Sequence, residues 1–169
     1  MWFNSLEFGA FLVLVFAGYW MLSSNRLKGQ NLLLLGASYF FYGVWDWRFL
    51  GLIFASSIVD FTIGQLIFKS EKQLNKRLLL VFSLVFNLGL LGFFKYFNFF
   101  IESFTDLSKL LGFHPNIGSL NIILPVGISF YTFQTLSYTL DIYRGRLEPT
   151  KNVVAFFTFV SFFPQLIAG

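Results

Sequence analysis

The sequence predicts an all-α membrane protein, a polytopic bundle of transmembrane helices. Of its 169 residues, 56% are hydrophobic and only 12% are charged, and the mean hydropathy is +0.70. A soluble domain of this size could not bury so much apolar surface. The apolar residues form about six blocks, each close to the roughly 17–25 residues with which a helix crosses a hydrocarbon core. We therefore expect one membrane-embedded domain over residues 1–169, without a separate soluble domain.

The first apolar block, residues 6–22, predicts a retained helix rather than a signal peptide. Nothing basic precedes it, whereas Arg26 and Lys28 follow it, the reverse of the order in a secretory signal. The second block begins at Asn31 and ends in Trp-Asp-Trp-Arg at residues 45–48. Because Trp favours the membrane interface, this cluster predicts a turn at the opposite surface.

The third block, residues 49–68, contains Asp60, a carboxyl group well inside an apolar run. Such a group is costly in hydrocarbon, so it normally faces the bundle interior and has a partner. Ser56, Ser57, Asp60 and Gly64 form one small, polar stripe at helical spacing. Two interpretations stay open: close helix packing, or a proton-relay or substrate role for Asp60.

The fourth block, residues 78–101, ends near Lys95, which we interpret as an interfacial anchor with its ammonium in the headgroups. The polar stretch that follows, residues 102–121, starts with helical apolar spacing and predicts a helix along the membrane surface. Its second half is predicted as a loop and contains His114, the single histidine. His114 has no carboxylate or nucleophile beside it in sequence, so we do not assign it a catalytic role.

The fifth block, residues 124–145, is the most informative. Wound as a helix at about 100° per residue, it places Gln134, Ser137, Tyr138, Asp141 and Arg144 on one side. An unpaired polar group costs several kcal/mol in hydrocarbon. This polar face is therefore predicted to look inward, at other helices or at a wet cavity.

The last block, residues 153–169, reaches Gly169 without a polar tail, so we expect five complete blocks and a truncated sixth. The loops after blocks one, three and five should be cytoplasmic, because short cytoplasmic loops hold the excess of lysine and arginine. They contain nine of the twelve such residues: Arg26, Lys28, Lys69, Lys72, Lys76, Arg77, Arg144, Arg146 and Lys151. This asymmetry predicts an extracytoplasmic N-terminus.

Composition also excludes several kinds of site. With no cysteine and one histidine, the chain offers no disulfide or thiolate nucleophile, and we expect no metal centre. The net charge of +4 is explained by the basic loops. We therefore predict no nucleic-acid partner.

Four strings resemble, in order and spacing, the N-terminal part of membrane-bound O-acyltransferases, specifically the bacterial branch of the alginate O-acetylation protein. They are NLLLLGASYFFYGVWDWRFL, LGLLGFFKYFNFF, LPVGISFYTFQTLSYTLDIYRG and FFPQLIAG. The resemblance covers nearly the whole chain from Trp2 onward, but only the first part of such a protein. It identifies the chain as the N-terminal fragment of an O-acyltransferase.

The resemblance implies a ring of tilted helices around a tunnel across the bacterial cytoplasmic (inner) membrane. It implies an acyl thioester, such as acetyl-CoA, as a substrate from the cytoplasmic side, with no bound cofactor. The acceptor would be a hydroxyl of a cell-envelope polysaccharide such as alginate, and the partners would be membrane lipid and a periplasmic acetyltransferase. The family's catalytic histidine lies further along the polypeptide, and His114 does not match it. The resemblance thus implies no catalytic residue in this chain, which alone should be inactive.

The resemblance also nominates residues that line the tunnel or support its wall. They are Pro125, Gly127, Ser129, Phe130, Gln134, Ser137, Tyr138, Asp141, Tyr143 and Arg144. A buried helix whose polar face is satisfied by its neighbours is the other interpretation of this segment. Two functions of other classes stay open: a transporter or channel subunit in which Asp60, Gln134 and Asp141 line a path, and a non-catalytic membrane module.

Overall fold

The computed structural model describes residues 6–22, 27–110 and 127–168, and all regular structure in these ranges is helical. The predicted all-α class is confirmed for this part of the chain. The helices are α1 (Leu6–Met21), α2 (Leu27–Lys69), α3 (Gln73–Leu110), α4 (Ile128–Tyr143), α5 (Val153–Ser161) and α6 (Phe163–Ala168). His114 and Pro125 lie outside the described residues.

The second and third predicted blocks form a single helix, α2, of 43 residues. The turn predicted at residues 45–48 is therefore wrong, because the backbone stays helical through it. Those four residues include no glycine or proline, which are the strongest breakers of a helix. Aromatic residues of the membrane interface, such as those at positions 45–48, indicate how deep a segment lies in the membrane, but they do not by themselves make the backbone turn. At 1.5 Å per residue α2 is about 65 Å long, roughly twice the thickness of a hydrocarbon core.

The fourth block also extends further than predicted. The segment after Glu102 is helical, as its spacing indicated, but it continues α3, which has 38 residues, rather than forming its own element. Lys95 is exposed on α3, with its ammonium 5.7 Å from the ring centre of Tyr96. Its role as an interfacial anchor stays a prediction.

Two segments of the described chain are long and apolar enough to cross a membrane, Trp47–Lys69 in α2 and Gln73–Phe97 in α3. Two other apolar segments, Leu6–Met21 and Val153–Leu166, are shorter. These helices fit a membrane location.

The sixth block is divided into α5 and α6 at Phe162, whose ψ of 104° leaves the helical region. Pro164 explains the division, because proline has no N–H and its ring clashes with the carbonyl four residues earlier in a continuous helix. The N–H of Phe163, which starts α6, donates instead to Ser38 Oγ at 3.2 Å. The break thus fixes the end of α5 against α2.

The core lies around α2, which packs against all five other helices. Buried isoleucines of α2 meet Tyr131 and Ile142 of α4 and Phe156 of α5. The helices α2 and α4 approach closely at Gly64, where an added Cβ would lie 2.9 Å from Ile142 Cδ1. The absence of a side chain at this position lets α4 lie directly on α2 and sets the position of the candidate site.

Candidate functional site

Both ends of α4 depend on a glycine in the left-handed region. Gly127 precedes the helix with φ 76°, and a Cβ there would lie 2.9 Å from the carbonyl oxygen of Leu166. Gly145 follows it with φ 69°, and the N–H of Arg146 donates to Asp141 O at 2.9 Å, which closes a Schellman motif. The start and end of α4, and so the placement of its side chains, are set by these two positions.

One face of α4, which we term the threonine face, packs into the protein. It consists of Thr132, Thr135 and Thr139, all buried. Thr135 donates its hydroxyl hydrogen to Thr132 O at 3.1 Å, and Thr139 Oγ1 lies 3.2 Å from Thr135 O. Because the hydroxyls of Thr135 and Thr139 have acceptors on their own helix, the face can pack closely against other helices.

The threonine face lies against Asp60 of α2, which has no exposed surface. Asp60 Oδ1 is 2.5 Å from Ser83 Oγ of α3 and 3.4 Å from Thr139 Oγ1. Asp60 Oδ2 accepts a hydrogen bond from Asn87 Nδ2 at 2.8 Å. Asp60 therefore lies in the bundle interior with partners on α3 and α4, which is the position expected of a carboxyl group in an apolar run.

The other polar face of α4 lines a groove that is open at the surface of the described chain and has a volume of about 580 Å³. We term it the α4 groove. Six of the residues nominated from the sequence line it, together with three apolar residues that the sequence did not indicate. The full set is Ser129, Phe130, Phe133, Gln134, Ser137, Tyr138, Asp141, Leu147 and Phe159.

The α4 groove contains hydrogen-bond acceptors that are not used by other described residues. Gln134 Nε2 donates to Phe159 O at 2.8 Å, but Gln134 Oε1 is buried and has no hydrogen-bond partner among the described residues. Ser137 Oγ donates to Phe133 O at 2.8 Å, which leaves its lone pairs free to accept. Asp141, one turn further along, is partly exposed. The groove thus presents acceptors to whatever occupies it.

The remaining nominated residues lie away from the groove. Tyr143 OH accepts a hydrogen bond from Gln73 Nε2 at 3.1 Å and so links α4 to α3. Arg144 is exposed and forms the C-cap of α4. Asp60 is not among the residues that line the groove, so the described structure does not bring it together with Gln134 and Asp141 in one cavity.

The sequence reasoning missed the threonine face. Its signal was present as threonines at i, i+3 and i+7, but a polar pattern does not say which of two polar faces a neighbouring helix will cover. In the parts of the chain that the structure describes, no group of three His, Cys, Asp or Glu side chains could hold a metal ion.

Comparison with known proteins gives matches along the entire chain. It is 40% identical over 170 residues to the probable alginate O-acetylase AlgI of Azotobacter vinelandii and 39% identical to that of Pseudomonas aeruginosa, with the whole chain covered in both. It is 35% identical to the peptidoglycan O-acetyltransferase of Helicobacter pylori, with 95% of the chain covered. These matches confirm the resemblance that the four strings indicated.

The chain spans only about a third of the length of these relatives, 34%, 32% and 34% respectively. No family model matches it. No solved structure matches it either.

Proposed function

Because the chain is homologous along its length to alginate O-acetylases and to a peptidoglycan O-acetyltransferase, we propose that it forms the N-terminal part of a polysaccharide O-acetyltransferase. The observation that carries the proposal is this identity of 35–40% over nearly all of the chain. The acceptor class, a hydroxyl of a cell-envelope glycan, is the one that the relatives' names share.

The proposed reaction moves an acetyl group from a thioester, acetyl-CoA or another acyl donor, to a sugar hydroxyl. The new ester C–O bond forms as the C–S bond breaks, and the proton of the hydroxyl ends on the released thiol. Such a transfer needs a base, a stabiliser for the oxyanion and a path that excludes water. We assign the base to a histidine further along the polypeptide, and we assign part of the path to this chain.

The α4 groove is the part of the path that we propose lies here. Its volume of about 580 Å³ is within the range of small-molecule sites, and its mixture of apolar walls with a few polar groups is typical of them. An unpartnered Gln134 Oε1 is costly if it stays buried and unpaired. The remaining two thirds of the polypeptide would close the open side of the groove and turn it into a tunnel.

We further propose a multi-pass location in the bacterial inner membrane, with the basic loop between α2 and α3 on the cytoplasmic side, because cytoplasmic loops hold the excess of lysine and arginine. The extracytoplasmic N-terminus expected from the sequence relied on a turn at residues 45–48, which the continuous helix α2 does not contain, and we do not propose it. A cytoplasmic α2–α3 loop makes α4 run from the periplasmic end, at Gly127, to the cytoplasmic end, at Arg144. The donor would enter from the cytoplasm, and the acetyl group would leave on the periplasmic side, to a glycan or to a periplasmic acetyltransferase partner, with membrane lipid around the helices.

The transporter hypothesis is the weaker of the two. A proton or substrate path through Asp60, Gln134 and Asp141 requires a connected cavity. The residues lining the α4 groove do not include Asp60, which is wholly buried among hydrogen-bond partners.

The reading frame downstream of Gly169 provides the first test. We expect it to continue in apolar segments and to encode an intramembrane histidine. An extension that lacks such a histidine would contradict the proposal, and so would acetyl transfer from acetyl-CoA by the purified 169-residue chain alone.

Variants of the complete polypeptide provide the second test. We expect Asp141→Asn or Gln134→Leu to lower the rate of glycan O-acetylation by about tenfold or more, since such sites depend on fixed polar groups. The melting temperature should change little in Asp141→Asn, which keeps the shape of the side chain, and should fall further in Gln134→Leu, which loses the hydrogen bond to Phe159 O. Asp106→Asn, which alters an exposed carboxylate paired only with Lys109, is the matched control. Full activity in both groove variants would remove the groove from the path.

A further inference from the structure

We propose that Asp60 is a neutral carboxylic acid, which holds α2, α3 and α4 together without a counter-ion and so fixes the rotation of α4. This inference rests on the geometry around Asp60 and does not depend on the proposed function. It assigns a protonation state and a positioning role to a group that the acetyl-transfer path does not use.

An ionised Asp60 would need an opposite charge beside it. The groups that hydrogen-bond to it are Ser83, Asn87, Thr139 and Thr135, and all are neutral. Among the described residues, no lysine, arginine or histidine forms an ion pair with it. Hydrogen bonds from neutral donors offset part of the cost of burying a carboxylate. Without a full counter-charge, however, a carboxyl group taken out of water normally takes up a proton.

The polypeptide that would follow this chain cannot supply a counter-ion for Asp60 either. Asp60 has an exposed fraction of 0%, although the chain spans only about a third of its relatives' length. Residues added later can cover exposed surface, but they cannot reach a side chain that is already enclosed. A counter-ion for Asp60 therefore cannot come from the rest of the protein without rearranging these three helices.

A metal cation between Asp60 and Ser83 would be another source of neutralising charge. Oxygen ligands lie about 2.3–2.6 Å from an ion such as Ca²⁺, and the ion separates them from one another. Here the closest oxygens, Asp60 Oδ1 and Ser83 Oγ, are 2.5 Å apart. That is a direct O–H···O hydrogen bond at the short end of the usual range, and no ion fits between them.

The hydrogen bonds around Asp60 leave room for one more hydrogen, on Oδ1 of its carboxyl group. Asn87 Nδ2 uses its two hydrogens on Asp60 Oδ2 and on Ser83 O, at 2.8 and 3.0 Å. The single hydroxyl hydrogen of Thr139 has Thr135 O at 3.2 Å, nearer than Asp60 Oδ1 at 3.4 Å. A proton on Oδ1 thus finds a lone pair on Thr139 Oγ1, while Ser83 Oγ donates to Oδ1 and Asn87 donates to Oδ2.

The consequence is that Asp60 positions α4. Its carboxyl group joins the threonine face to α3, and this contact orients the opposite face, with Gln134 and Asp141, toward the α4 groove. Asparagine would reproduce the arrangement, because its carbonyl can accept from Asn87 and its amide hydrogens can donate to the two hydroxyls.

Infrared spectroscopy of the purified chain in dodecyl maltoside micelles, which contain no carbonyl group to mask the signal, tests the protonation state. At about pH 8 exposed carboxyl groups are ionised, so we expect the carboxylic-acid C=O stretch of the unsubstituted chain to arise from Asp60. The stretch should disappear in Asp60→Asn and persist in the control Asp106→Asn. Its absence from the unsubstituted chain would overturn the proposal, and this measurement needs no variant to fold.

Thermal unfolding tests the positioning role. We expect Asp60→Asn to change the melting temperature by less than about 2 °C and Asp60→Ala to lower it by roughly 5 °C or more, because alanine leaves buried donors unpaired. If Asp60→Asn destabilises the chain as much as Asp60→Ala, the carboxyl group is an anion and the proposal is wrong. A melting temperature that rises with Na⁺ but not with K⁺ at equal ionic strength would also overturn it, in favour of a bound cation.

Discussion

The two polar faces of α4 contain similar residues but lie in opposite surroundings. Thr132, Thr135 and Thr139 are wholly buried against α2 and α3, whereas Gln134 and Asp141, on the groove side, are only partly covered. Thr135 and Thr139 have acceptors for their hydroxyl hydrogens on their own helix. Gln134, in contrast, has an acceptor oxygen with no partner among the described residues.

This difference shows how a polar residue can serve in an apolar helix. A short hydroxyl side chain donates a hydrogen bond to the backbone carbonyl three or four residues earlier and behaves as a packing residue. A longer amide or carboxylate extends beyond its own helix and needs a partner elsewhere. The threonine face therefore builds the fold, and the groove face is available for function.

The largest expected effect is at the point where the threonine side of α4 meets α2. Gly64→Val should lower the free energy of unfolding by about 2–3 kcal/mol, because even a Cβ would lie 2.9 Å from Ile142 Cδ1 and 3.0 Å from Tyr138 Cε1, and overpacking has costs of this size. Chemical unfolding in detergent measures it. The matched control is Gly51→Val in the same helix, where a Cβ would meet nothing within 4 Å. Equal losses at the two positions would mean that α4 is not held close to α2.

A smaller effect separates the two faces directly. Thr139→Val removes one hydroxyl beside Asp60 and should cost about 1 kcal/mol, the usual worth of a buried hydrogen bond. Ser137→Ala removes one hydroxyl on the groove side and should cost less than about 0.5 kcal/mol, as at most exposed sites. The same unfolding measurement compares them. A larger loss from Ser137→Ala would reverse the assignment of the faces.

The sequence was sufficient to predict the all-α class and the interior position of Asp60, which follow from local composition and from the cost of polar groups in hydrocarbon. Six residues nominated by the family resemblance, four of them also by helical spacing, line the α4 groove; their role in a tunnel wall stays a prediction. Pro164 was also visible, but the division of the last block that it causes was not predicted, because an apolar run was read as one span.

The fusion of two blocks into α2 had a local signal, the lack of glycine or proline at residues 45–48, but the interfacial composition there predicted a turn instead. Other features could not be read from the sequence because they depend on contacts distant along the chain. The choice between the two polar faces of α4 required the positions of Asp60, Ser83 and Asn87, which lie 79, 56 and 52 residues before Thr139. The walls of the groove at Leu147 and Phe159 come from residues beyond the motif.

The most direct test of the two-face account uses the absence of cysteine from the chain. Single cysteines introduced as Ser137→Cys and Thr139→Cys can be labelled with N-ethylmaleimide in detergent without background. We expect labelling at position 137 to be at least about tenfold faster, because position 139 can react only when the helices locally separate. Equal rates at the two positions, or faster labelling at 139, would contradict the account.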